Sequence, residues 1–457
     1  MPNAVYFYYL CARMKRILLI IASVFGLLPL CAADSIGNIR VSVLTCSPGQ
    51  EVYSLYGHTA IRVQDLDGGD DHVFNYGVFD FNTEYFVWKF VLGETDYICM
   101  AVPWEYFVRE YEARGSSVVA QVLNLPDAEA RKVRDYLYRN IRKENRVYRY
   151  NFLTNNCTTR VMDCVESCVE GSIVYSWKEE PRTYRQILHE YTAGFSWSQE
   201  GNDFLLGADV DTLLSHRATC FIPEYYMEAL DGAVVRNEFQ DTRNLVAETQ
   251  TVVPLNLAKV KKQADFPLSP VELGWLVFAV AVIIMAVEFM IRRMFWLLDV
   301  VLMLAHGLAG CLILFMFLFS SHPTVDSNWL VGVLNPLPLI ALPFVIKAAW
   351  NDRQTLWHHF MAVWMAVFLL FIPWMPQHMG MLIIPILAIL LSRQISYIFL
   401  INGLYRVDID NTSINALCFK LFGGFKCHTY HNAGGDDVPT ENGSAGGDDG
   451  STTENDN

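Results

Sequence analysis

Two short stretches carry the residue types that nucleophilic catalysis needs. In Asn155-Asn156-Cys157-Thr158-Thr159-Arg160 a β-branched and aromatic run gives way to two good helix N-caps, so Cys157 is expected to open a helix. A thiol there sees the positive end of the helix dipole and free amide N–H groups, and both favour the thiolate, the nucleophilic form. The same amides are placed to hold a tetrahedral oxyanion. In Tyr56-Gly57-His58-Thr59-Ala60-Ile61-Arg62-Val63 an imidazole stands at the start of a strand, and beside Cys157 it would complete an activated pair. Arg62 lies four residues beyond His58, on its face of a regular strand. It either holds a lipid phosphate bidentately or pairs with a surface aspartate. A structural thiol is the competing reading. The region also holds Cys46, Cys99, Cys164, Cys168 and Cys220, an even set with Cys157 that permits many disulfide pairings and selects none. Cys164 and Cys168, four apart on one helix, read as core residues. Their spacing from Cys157 fits no zinc pattern, and no metal or other cofactor is expected.

The elements that must position these groups are legible as patterns. Strands are expected near 39–45, 58–64, 72–78, 95–101, 117–124 and 146–152. The turn chemistry of residues 64–71 makes 58–78 a hairpin. Helices are expected at 103–114, at 127–142 behind Pro126, and at 157–168. The result is an α+β domain with a mainly antiparallel sheet, followed by a helical extension after about 175. There is no repeat and no glycine-rich phosphate loop.

The rest of the chain belongs to a membrane. Only 18% of the 457 residues are charged while 53% are hydrophobic, which a soluble globular chain does not show. The formal charge of −14 excludes a protein that works by holding nucleic acid. Met14-Lys15-Arg16, an apolar stretch from Ile17 to Leu30 and small residues before Asp34 make 1–33 a secretory signal with an upstream start extension. Five apolar blocks at 271–291, 294–320, 329–346, 356–373 and 380–400 form an all-α transmembrane domain, 271–400. Arg292, Arg293, Lys347, Arg353, Arg393 and Arg406 follow alternate blocks, while the intervening loops carry no Lys or Arg. This places 34–270 outside the inner (cytoplasmic) membrane and the acidic, low-complexity tail, 401–457, in the cytoplasm.

Inside the membrane, Asp299 and His306 share one helical face, with Asp299 expected near Arg292 or Arg293 at the headgroups. At the outer surface, His322-Pro323-Thr324 and Asn328-Trp329 lie where the exported domain must rest. Phe221, Ile222, Tyr225, Tyr226 and Met227 are expected to help that domain lie at the interface.

Several motifs occur in one ordered series: Thr45 to Gly49, Tyr53 to Arg62, Phe74-Asn75-Tyr76-Gly77, Phe79 to Phe81, Phe90 to Gly93, Gln121 to Leu125 and Asn155 to Arg160. In this the chain resembles the exported domain of the Lnb family of bacterial lipoprotein N-acyltransferases. His322-Pro323-Thr324 and Asn335-Pro336-Leu337 extend the resemblance to the membrane half. The domain is also similar to permuted papain-like proteins of the NlpC and lecithin–retinol acyltransferase kind, in which a strand histidine precedes a helix-opening cysteine. The resemblance implies Cys157 as nucleophile, His58 as its base and a third polar group beside the histidine. Asn75 is named for that place, with His72 as the other candidate, since a one-residue slip of register turns either away. Arg62, Tyr56, Asn156 and His322 are the candidate substrate contacts. The activity implied is transfer of an acyl group from a membrane phospholipid, through a Cys157 thioester, to the N-terminal amine of a diacylated lipoprotein. The alternative is a periplasmic cysteine peptidase or amidase acting on peptidoglycan peptides, and a third reading is a non-catalytic envelope scaffold.

Overall fold

The computed structural model describes residues 38–79, 84–177, 180, 182–260, 266–351 and 355–401. The signal sequence, nearly all of the acidic tail, Phe81, Arg353 and Arg406 lie outside the described residues. The chain forms two compact units. The first comprises the described residues of Met1–Leu276 with His306–Pro336 and Phe368–Ile386; the second comprises Val277–Ala305, Leu337–Val367 and those from Leu387 onward.

In the first unit, strands β1 (Ile39–Cys46), β2 (His58–Asp65), β3 (Asp71–Val78), β4 (Asp96–Pro103), β5 (Val118–Leu123) and β6 (Val147–Arg149) fall where the alternation expects them. Two short strands, β7 (Ser172–Val174) and β8 (Val234–Arg236), join β9 (Thr242–Asn244) in a small second sheet. β10 (Val246–Val253) returns to the main sheet, whose order is β10-β5-β1-β2-β3-β4-β6 with every pairing antiparallel. β1 is interior to the sheet and buried from Val41 onward on both faces, so that even its polar Ser42 and Thr45 are enclosed.

The helices are α1 (Phe86–Leu92), α2 (Trp104–Arg114), α3 (Asp127–Asn140), α4 (Cys157–Cys168), α5 (Tyr184–Thr192), α6 (Ser196–Leu205), α7 (His216–Thr219) and α8 (Pro223–Leu230). α3, α4 and α8 cover one face of the sheet, burying Val41, Ile61, Phe74, Val133, Leu137, Val161 and Met162. α2 covers the other, where Phe107 and Tyr111 pack on Leu44, Ala60, Val73 and Ala120. The α5–α8 extension has its own small core around Leu153, Ile187, Leu188 and Phe221. Buried Arg185 ties that extension together, bonding Asp203, Asp211 and the carbonyls of Leu206 and Gly207.

Phe221, Ile222 and Tyr226 are at most 1% exposed and Tyr225 bonds Arg182 and Glu190, which corrects the expectation that this segment faces the membrane interface. Apolar side chains look alike in a core and at an interface, and only packing tells them apart.

Among the described residues, five helices are long and apolar enough to cross a membrane: Pro270–Ile291, Trp296–Phe319, Trp329–Trp350, Leu356–Trp374 and Ile383–Leu400. Their α-helical parts are α9 (Pro270–Ile291), α10 (Trp296–Phe319), α11 (Leu337–Trp350), α12 (Leu356–Phe371) and α13 (Ile383–Ile401). In the first unit His306 donates from Nε2 to the Val333 carbonyl at 2.7 Å. Gly310 lets the backbone of Asn335 approach, where a Cβ would meet its carbonyl carbon at 2.2 Å. In the second unit, buried Arg393 grips Glu288 and Asp299 with four hydrogen bonds of 2.7–3.1 Å. Asp299 is therefore paired with Arg393, a residue from the fifth span, where Arg292 or Arg293 was expected.

Candidate active site

The loop before α4 is built by asparagines. Asn151 Oδ1 accepts from the N–H groups of Leu153 and Thr154 at 3.0 Å, turning the chain back towards the sheet. Asn156 then caps α4. Its Oδ1 accepts from Thr158 N at 2.9 Å and Thr159 N at 3.0 Å, and Thr159 Oγ1 in turn accepts from Asn156 N at 2.8 Å. A cap of this kind stabilises a helix by about 1 kcal/mol. The Asn156 amide is held as well, donating 2.8 Å bonds to the carbonyls of Phe152 and Phe221. Asn156 is thus fully engaged and 3% exposed, so it holds the helix start and cannot serve as the substrate contact expected of it. Because the cap takes the N–H groups of Thr158 and Thr159, the helix amide left to face an oxyanion is that of Cys157 itself.

The strand side brings the imidazole. β2 starts at His58, and the register Ala60↔Asn75 sets Asn75 diagonally across from His58 on the same face. His58 Nε2–H donates to Asn75 Oδ1 at 3.1 Å, and Asn75 Nδ2 donates to the Val73 carbonyl at 3.3 Å. Nε2 is engaged by Asn75, which leaves Nδ1 of His58 for the Cys157 thiol that interacts with the imidazole. His72, of opposite parity in β3, faces α3 and meets the Tyr138 hydroxyl at 3.3 Å. Thr59 Oγ1 and Thr158 Oγ1 bond at 3.1 Å and pin the start of α4 to β2, while the Thr59 N–H points at the Cys157 sulfur.

Electrostatics separate Cys157 from the other thiols. Burial opposes its ionisation, but His58 beside it and the N–H of Thr59 outweigh burial and hold the thiol below its ordinary value. Burial likewise disfavours the imidazolium of His58, yet the Cys157 charge and the Asn75 bond raise it above its ordinary value. Shifts of opposite sign in one pair favour the thiolate–imidazolium form relative to isolated groups. Burial pushes Cys46, Cys99 and Cys220 up to about 12. The Cys164 thiol, hydrogen-bonded to Cys168, draws Cys168 down to about 7. Cys168 is nevertheless 5% exposed, packed in the core, and has no imidazole among the groups that act on it. The exported cysteines are all free thiols.

A cavity of about 710 Å³ opens beside the pair, walled by His58, Asn75, Gly77, Phe79, Tyr53 and Tyr111 among others. Cys157 borders this wall at Gly77, which sits at φ 88°; a Cβ there would lie 3.8 Å from Cys157 Cβ and from the Tyr150 ring. Gly77, Thr59 and Thr158 were not singled out from the sequence. The one available signal for them was the Phe74–Gly77 motif and the threonines flanking His58 and Cys157.

The remaining candidates fall elsewhere. Arg62 is occupied by a bidentate pair to Asp71, at 2.7 and 2.6 Å, and stacks 3.7 Å above the Trp104 ring, so the aspartate reading holds and the lipid-phosphate reading does not. Tyr56 packs on Phe152 and Tyr191 with its hydroxyl accepting from Asn202 at 2.9 Å, a place against the helical extension and outside the cavity wall. His322 donates from Nε2 to the Phe90 carbonyl, and burial holds its imidazole below the ordinary value and neutral. It joins the outer end of the second span to α1, outside the cavity wall. Asn328 does the same for α6, donating to the carbonyls of Phe204 and Leu205.

Comparison with curated proteins and with solved structures gives no match. Two family models do match: residues 32–190 fit the Lnb N-terminal periplasmic domain, and residues 261–403 fit the Lnb transmembrane domain. Together they cover more than half of the chain and agree with its antiparallel sheet with helices and its five apolar helices. The protein is a membrane protein with a periplasmic domain and belongs to the Lnb family, whose role is membrane-associated lipoprotein processing.

Proposed function

We propose that this chain is an acyltransferase of the inner membrane that moves a fatty acyl group from a phospholipid to the N-terminal amine of a diacylated lipoprotein, with Cys157 as nucleophile. The observation that carries the reading is Cys157 beside a His58 that is bonded to Asn75 and lines a cavity, in a unit that also holds the outer ends of membrane spans.

The Cys157 thiolate attacks the ester carbonyl of the donor, forming the C–S bond and an oxyanion that the Cys157 N–H is placed to receive. Collapse breaks the C–O bond, and the departing lysophospholipid oxygen takes the proton from His58. The thioester is then attacked by the lipoprotein α-amine. His58, now neutral, accepts the amine proton as the C–N bond forms and the thiolate leaves. Asn75 keeps the imidazole turned so that Nδ1 faces sulfur through both halves. An α-amine with a pKa of about 8 retains a useful neutral fraction near neutral pH. Anchoring donor and acceptor in the membrane beside the site favours aminolysis of the thioester over hydrolysis by raising the amine's effective concentration.

The test is mass spectrometry of lipopeptides from cells that lack their own lipoprotein N-acyltransferase. Expression of this chain adds one amide-linked acyl mass to the lipoprotein N-terminus, and the Cys157→Ala form adds none. An unchanged diacyl species with a well-expressed, inserted protein overturns the reading; cleavage of wall peptides by the same protein would establish the peptidase alternative.

A further inference from the structure

Helix α1 is unlike every other helix of the sheet domain. None of its seven residues is buried, and Val87, Trp88 and Phe90 are 74%, 56% and 49% exposed. A short helix in water does not keep so apolar a surface, and its neighbours show what medium it faces. Trp88 packs against Phe315, inside the span Trp296–Phe319, with ring centroids 5.2 Å apart. The carbonyl end of α1 is capped by the segment that leaves that span. Ser320 Oγ donates to the Val91 carbonyl and Ser321 N to the Leu92 carbonyl, both at 2.8 Å, and His322 bonds Phe90. A helix fixed to the emerging end of a lipid-crossing helix stands at the level of the lipid, and Lys89 is its only charged residue.

From α1 a continuous chain of rings leads inward. Phe90 stacks on Phe86 at 6.3 Å, Phe86 on Phe79 at 5.9 Å, Phe79 meets Tyr97 at 5.0 Å, and Tyr97 meets Tyr150 at 4.1 Å. Phe79 belongs to the wall of the cavity that holds His58, and the Tyr150 ring borders the same Gly77 position as Cys157. The rings thus run from the edge of a membrane span to Tyr150, which borders Gly77 as Cys157 does.

We propose that α1 lies in the outer leaflet and that the rings of Phe90, Phe86 and Phe79 form a track for one acyl chain of a membrane phospholipid, which delivers its ester carbonyl to Cys157. The proposal deepens the acyltransferase reading and rests on it. An acyl chain is the occupant because the track begins on a surface continuous with a membrane span and is built of apolar aromatic rings. His322 acts here as a positioning residue: it holds α1 through the Phe90 carbonyl and its own ring stands edge-on to Phe90 at 5.4 Å.

The experiment uses the full-length protein in detergent. Acylation of Cys157 is followed by intact mass after exposure to p-nitrophenyl butyrate and to p-nitrophenyl palmitate. The readout is the ratio of palmitoylation to butyrylation rates. In the Phe86→Ala/Phe90→Ala form that ratio falls at least about tenfold, because methylene burial along the rings is lost. The Phe86→Leu/Phe90→Leu form, apolar but without rings, keeps most of it. An unchanged ratio in the alanine form overturns the track while leaving Cys157 acylation standing. An equal fall for both esters also overturns it, since α1 would then support the fold and not the lipid. If the double variant does not accumulate, Phe90→Ser at its half-exposed position gives the same test, and an unchanged ratio there overturns the track. Failure of either ester to acylate Cys157 in the unaltered protein overturns the acyltransferase reading itself, a result distinct from all of these.

Discussion

At the start of α4 one thiol faces one imidazole, while among the membrane-spanning helices one guanidinium faces two carboxylates. Both places hold charge out of water, but they dispose of it differently. Around Arg393, every donor direction towards Glu288 and Asp299 is used, and Glu288 also accepts from Ser396 Oγ and Phe295 N at 2.7 Å. Close pairing of this kind makes a buried cluster structural: it joins three helices, and every carboxylate oxygen in it accepts at least one hydrogen bond. The Cys157 sulfur is supported by His58 and the Thr59 N–H, and both His58 and the neighbouring Gly77 line a cavity. Chemical availability comes from charge that is stabilised and left incompletely enclosed.

The sharpest way to break that contrast is to remove each centre. Cys157→Ala should lower acyl transfer by at least about 10³-fold, as loss of a nucleophile does, while Cys164→Ala on the same helix keeps the rate within a few-fold. Rates in detergent decide; near-normal transfer by Cys157→Ala would place the nucleophile elsewhere. Arg393→Met should instead cost stability, about 3–5 kcal/mol, because two buried carboxylates lose their partner. Combining it with Glu288→Gln and Asp299→Asn should recover much of that loss in thermal unfolding. A cluster that also served catalysis would not be rescued by neutralisation.

Asn75→Ala should lower the acylation rate by about 10- to 100-fold through loss of imidazole orientation. Because the Asn75 bond raises the His58 value, removing it should also move the alkaline limb of the rate profile to lower pH. A change in rate with the limb unmoved would mean that Asn75 acts only on packing. In the unaltered protein, iodoacetamide should alkylate Cys157 at a lower pH than an ordinary thiol, since its thiolate is favoured. His58→Ala removes the cation that lowers the thiol and leaves burial to raise it, so the alkylation profile should shift upward in pH. The smallest effect belongs to Arg62→Ala. With its guanidinium on Asp71 and Trp104, the loss should be about 1 kcal/mol of stability, with transfer changed less than about threefold. A large rise in KM for phospholipid would restore Arg62 as a phosphate ligand.

Much of the fold was legible because its signals are local. β1 to β6, α2 to α4 and the five spans are set by alternation, caps and the length of apolar runs. β10 was not, because Glu248-Thr249-Gln250 is polar enough to read as loop and becomes an edge strand only when β5 offers its free side. α1 was missed because seven residues are too few to show a helical period. Within the site, the chemistry of Cys157 and His58 was readable from residue type and position, whereas their partners were not. The choice between Asn75 and His72 depends on strand register. The engagement of Asn156 depends on the carbonyl of Phe221, 65 residues away.

The sequence by itself determined that a thiol opens a helix, that an imidazole begins a strand, and that five apolar segments follow, since each is a property of a few consecutive residues. Only the tertiary structure decided that thiol and imidazole meet, that Arg62 turns to Asp71, that Asp299 is claimed by Arg393 and that rings run from a membrane span towards Cys157. Those outcomes rest on contacts between distant segments, where packing chooses among partners that local chemistry leaves equivalent.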